Sequence, residues 1–124
     1  MEEARAKGLL GQGPFKYSRF ATWMVNSMEP PPKRRLRTFK VFTPAPAVDR
    51  RVADVLAEFQ TVRDGLIERL RRADGLDLKR AKVTSPVSRF FRMSLGAYFA
   101  FVIAHDRRHL WQARQVMAAP GFGV

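Results

Sequence analysis

The chain has only two histidines, His105 and His109, and they stand four residues apart in the run His105-Asp106-Arg107-Arg108-His109-Leu110-Trp111-Gln112. On a helix, residues i and i+4 lie one above the other, so both imidazoles point the same way. Two ring nitrogens can then reach one divalent metal ion at roughly 2.0–2.1 Å. With residues 94–117 wound at about 100° per residue, Tyr98, Val102, His105, His109, Ala113 and Val116 share one stripe. Arg107 and Arg114 fall on the far side. The stripe is apolar, so both histidines are expected to face the core. There they would serve either as metal or active-site groups or as core imidazoles held by hydrogen bonds. Gln112 projects beside them, as a group that orients a ligand or faces substrate, or as an ordinary surface glutamine. Tyr98, on the same stripe, is a candidate for the same supporting role.

The elements that must position these residues are helices. Residues 1 to about 8 are helix formers with no capping signal, and Gly8, Gly11, Gly13 and Pro14 break them. Residues 18–28 allow a short helix capped by Ser18, with Phe20, Trp23 and Met24 on one face. Pro30-Pro31-Pro32 stops it. Residues 29–47 then form an extended Pro/Arg-rich connector, which either wraps the bundle or clamps an anion through Arg34, Arg35 and Arg37. The segment 49–73 is the clearest helix. Asp49 caps it, Val52, Val55, Leu56, Phe59, Val62, Leu66 and Leu70 recur at three and four residues, and Gly75 supplies the stop. Leu76 to Ser94 reads as a loop containing Ser85-Pro86, with Phe90 and Phe91 as core anchors. Ser94 caps the histidine helix and Pro120 bounds it. No segment reads as a strand, and the expected fold is an all-α antiparallel bundle.

Composition narrows the chemistry. At 124 residues and 46% hydrophobic content the chain is expected to form a single domain, 1–124, with a core. The absence of cysteine excludes disulfides, thiolate catalysis and cysteine-rich zinc sites. No Gly-rich phosphate loop with its lysine is present, and no Ser-His-Asp set can be assembled. The N-terminus lacks the apolar core of a secretory signal, and no uncharged run is long enough to span a bilayer, so a soluble cytoplasmic protein is expected. The net charge of +12 raises nucleic acid as a partner. Its excess, however, lies in two connecting segments: Lys33, Arg34, Arg35, Arg37 and Lys40, then Lys79, Arg80, Lys82, Arg89 and Arg92. The helix from 49 to 72 is nearly balanced, with six basic and five acidic residues. Few aromatic residues are interleaved with the basic ones, so nucleic acid is the less favoured partner, and the charge serves solubility or steers a small anionic substrate equally well.

Four stretches carry a family resemblance: Gly75-Leu76-Asp77-Leu78, Ser85-Pro86, Ser94-Leu95-Gly96, and His105 through Ala113. Together with Glu29-Pro30-Pro31-Pro32 and Phe42-Thr43-Pro44-Ala45-Pro46, they resemble the DinB-like superfamily of four-helix bundles. The resemblance implies a divalent metal, zinc or nickel, held by three histidines, two of which map to His105 and His109. No histidine remains for the third, so a substitute ligand (Glu2 or Glu3) or a partner chain would have to supply it. It also implies an N-terminally truncated domain whose opening helix lies upstream of Met1. Three functional readings are open. The first is a metal-dependent hydrolase or thiol S-transferase in which the ion acts as a Lewis acid or lowers the pKa of a bound water or thiol. The second is a non-catalytic helical interaction module, forming a homodimer through a vacant helix-wide groove. The third is a basic nucleic-acid-binding protein, whose affinity would fall steeply with salt.

Overall fold

The computed structural model of the protein describes residues 1–32, 50–85 and 88–122. These residues are mostly helical, with one small sheet. In chain order the elements are α1 (Glu2–Ala6), α2 (Arg19–Met28), α3 (Val52–Arg72), β1 (Lys82–Ser85), β2 (Ser88–Ser94) and α4 (Leu95–Met117). The chain divides into two compact units, one of Met1–Lys33 with Gly75–Val124 and one of Arg34–Asp74.

The first unit is built around α4. A helix leaves its first amides without intrahelical partners, and three local features satisfy them here. Ser94 Oγ accepts from Ala97 N at 3.4 Å, as its capping role predicts. Leu95 N donates to the Ala81 carbonyl at 2.8 Å and Gly96 N to the Leu78 carbonyl at 3.0 Å. That turn is held by Asp77, whose Oδ1 accepts from Lys79 N and Arg80 N. Asp77 N in turn donates to the Leu9 carbonyl, and Leu10 bridges Leu76, the most deeply buried large side chain. The glycine-rich segment after α1 thus ties the chain start to the root of α4.

The stretch expected to be a loop contains a hairpin. β1 and β2 pair antiparallel, Lys82 with Ser94, Val83 with Met93 and Thr84 with Arg92, and the register shifts after Thr84. Alternation places Val83, Phe91 and Met93 against Ala21, Ala97, Tyr17, Met24 and Tyr98. Period-2 burial with β-branched Val83 and Thr84 explains the strands, which the polar residues and Pro86 obscure in the sequence. Phe91 is half-buried as an anchor, whereas Phe90 is 85% exposed and is not one. In place of core contacts, the Arg89 guanidinium lies 5.0 Å from the Phe90 ring centroid.

Helix α2 carries the expected Ser18 cap, whose Oγ accepts from Ala21 N at 3.2 Å. The face it buries is rotated from the expected one. Ala21 is buried and Met24 half-buried, while Phe20 and Trp23 are exposed and pack on each other at 5.8 Å between centroids.

The second unit contains α3, which begins at Val52 with Arg51 as its N-cap and no side-chain cap bond. Asp49, expected as the cap, lies outside the described residues, as do Arg34, Arg35, Arg37 and most of the 29–47 connector. Arg51 instead grips Asp54 through two bonds of 2.8 and 2.9 Å, and Arg50 pairs with Glu58 at 2.6 Å. The helix closes at Ala73, followed by Gly75 at φ +73 as the expected stop. Its apolar stripe forms as read, but Val52, Val55, Leu56, Phe59 and Val62 are exposed.

Candidate metal centre on α4

Helix α4 carries both histidines at mid-length, and their rings meet edge to face with centroids 4.4 Å apart at an interplanar angle of 88°. The i, i+4 adjacency expected from the sequence is therefore present. Their environment differs from the expectation. Both histidines are exposed, and the buried face of α4 is instead lined by Ala97, Ala104 and Arg108. Small residues decide this: Ala97 and Ala104 have no exposed surface, which allows α2 and α4 to pack closely. The hydropathy stripe gave weight to Tyr98, Val102 and Val116, whereas the packing follows Gly96, Ala97, Ala100 and Ala104. That row of small residues is the signal in the sequence that could have located the buried face.

Arg108 is the residue that sequence reasoning missed. It is buried, and its guanidinium reaches the Ser27 carbonyl near the C-terminal end of α2 at 3.5 Å. A cation at a helix C-terminus is favourably placed. Next to it, Arg107 pairs with Glu29 at 2.7 Å, just beyond the same helix end. The two arginines fix α4 against α2 and leave the histidine face turned away from that contact.

Phe101 stacks on the His105 ring, 6.2 Å between centroids and nearly parallel at 9°. The His105 imidazole is held below its usual pKa, first by loss of water around it, then by the neighbouring His109, with Arg108 acting in the same direction and Asp106 opposing. These surroundings favour the neutral His105 ring, the form in which a ring nitrogen can bind a metal. Gln112 is exposed two turns beyond His105, and Tyr98 is half-buried against the cluster of Ala21, Met93 and Ala97 rather than beside the histidines. Glu3 is engaged by Lys7 at 2.5 Å. Among the described residues no group of three or more His, Cys, Asp or Glu side chains could hold a metal ion, so neither Glu2 nor Glu3 completes the pair. Two imidazoles on one face suit two corners of a zinc or nickel site, and among the described residues the donor set stops there.

No helix among the described residues is long and apolar enough to cross a membrane. No curated protein and no solved structure matches the chain. A sequence-family model described as the DinB superfamily matches residues 9–113, most of the chain and all of the α4 histidine run. The chain belongs to the DinB superfamily.

Proposed function

We propose that this protein is a DinB-type helical domain that binds a divalent metal, zinc or nickel, through His105 and His109, in support of a hydrolase or thiol S-transferase activity. The observation that carries the reading is the adjacency of two accessible imidazoles, their ring centroids 4.4 Å apart on one helix face, with the His105 pKa lowered by its surroundings. A bound divalent ion supplies Lewis acidity. The chain's own contribution is to hold two imidazoles together on one helix, braced by Phe101 stacking and by the Arg107 and Arg108 contacts to the end of α2. Gln112, exposed one turn beyond His109, would orient a small polar ligand. Purification without a histidine tag, followed by measurement of bound zinc and nickel after loading and dialysis, tests this reading. Metal retained by the wild type and lost from His105→Ala/His109→Ala is expected. No retained metal, or equal metal in both proteins, would refute it.

A second reading, a helical interaction module, rests on the exposed apolar residues of α3, with Val55, Leu56, Phe59 and Val62 between 44% and 67% exposed. Soluble domains seldom leave such a stripe in water, and patches of this kind mark protein contacts. The two readings are compatible, because metal binding belongs to α4 and the stripe to α3.

A further inference from the structure

We infer that the metal centre is completed in trans: two copies of the chain pair α4 against α4, antiparallel about the His105–His109 pair, so that four imidazoles enclose one divalent cation. This rests on the binding of a metal by His105 and His109 proposed above and not on the hydrolase or transferase activity, because a site closed by four imidazoles leaves no position for substrate. A closed structural zinc site takes four ligands in a tetrahedron. The described residues offer two, and among them no third His, Cys, Asp or Glu joins the pair. A two-fold axis duplicates whatever lies on it, so a bidentate pair on an accessible face becomes a four-ligand site in a symmetric dimer.

The position of the histidines on α4 suits that axis. The helix runs Leu95–Met117, with its midpoint at Asp106, and the midpoint between the histidines is Arg107, one residue away. An antiparallel pair centred there overlaps almost the whole helix and sets each His105 across from the other copy's His109. Each histidine lies two residues from the centre, about 3 Å along the axis. All four rings therefore fall within one short zone around the two-fold.

Charge does not oppose this contact, despite the net charge of +12. Val102, His105, His109, Gln112, Ala113 and Val116 form a continuous face without a formal charge. Of the basic groups on α4, Arg108 is buried against α2, and Arg107 and Arg114 lie on the far side of the helix. Within this face His105, His109, Gln112, Ala113 and Val116 are exposed. A seam of one helix on one helix is smaller than the roughly 1,200 Å² of a stable specific interface. Association should therefore require the metal.

The test is sedimentation of the full, tag-free chain with zinc titrated in, together with zinc stoichiometry by equilibrium dialysis. One zinc per two chains is expected, with a doubling of mass that reverses on chelation. His105→Ala/His109→Ala should lose both. Ala113→Arg, a substitution at an exposed position that keeps both histidines, should stay monomeric at zinc concentrations that dimerise the wild type and bind zinc at least tenfold more weakly. One zinc per monomer, or tight binding by Ala113→Arg, overturns completion in trans while leaving the metal reading intact. A dimer indifferent to zinc and to both substitutions overturns it as well. Absence of zinc binding in the wild type overturns both readings together.

Discussion

Gly96 and Tyr17 show how a single atom can set the geometry of the site helix. A Cβ at position 96 would overlap the Tyr17 hydroxyl, so Gly96 is required by close approach and not by backbone conformation. Gly96→Ala must displace Tyr17 from its place beside Ala97 and Met93, and should cost about 1–3 kcal/mol in urea unfolding. In the Tyr17→Ala background the same substitution should cost much less, because the two share one contact; additive losses would contradict the overlap. The same packing pushes the Tyr17 phenol above its ordinary pKa through burial. A raised folded pKa favours the neutral form in the fold. That contribution to stability is complete below the unfolded value of about 10 and is lost as pH climbs through the folded value. In a Tyr98→Phe variant, the absorbance of the remaining phenolate should therefore appear above the ordinary tyrosine range. An ordinary titration midpoint would show Tyr17 to be solvated.

The α2–α4 pair is held by contacts of unequal weight, and mutagenesis should rank them. Arg107–Glu29 is partly exposed, at 59% and 37% of the side chains, and surface pairs of this kind contribute about 0–1 kcal/mol. Arg108 is 8% exposed and packs its stem between the helices, so Arg108→Ala should lose about 1–3 kcal/mol. Thermal unfolding of the two alanine variants tests the order, and an Arg107→Ala loss that equals or exceeds that of Arg108→Ala would overturn it. Ser94→Ala removes the cap at the root of the histidine helix and should cost about 0.5–2 kcal/mol, read in the same way. At this scale the sequence was informative where the physics is local. The caps at Ser18 and Ser94, the glycine stop at Gly75 and the extents of α2 and α4 all obey short-range rules. The orientation of α4 was not legible, because periodicity of large residues pointed to one stripe while Ala97 and Ala104 bury another. The hairpin was missed for a similar reason: Val83, Phe91 and Met93 form a period-2 face only once the turn between the strands brings them together.

Across the whole molecule, the family was legible because the histidine run and its capped start are contiguous in sequence, and the match over residues 9–113 covers them. The environment of the histidines was not, since exposure depends on which face of α4 meets α2, a contact between residues about 80 apart. Part of the excess positive charge, Lys82, Arg89 and Arg92, lies on the hairpin strands, and the proposed metal-binding chemistry is concentrated on one uncharged helix face. The central claim is that His105 and His109 act together on one ion, and long-range nitrogen–proton NMR spectra of the two imidazoles during zinc titration test it most directly. Both rings should shift together and saturate at the same added zinc, with one nitrogen of each ring losing its free lone-pair signature. Imidazole signals that stay unchanged while zinc binds elsewhere, or that respond at different equivalents, would contradict the account.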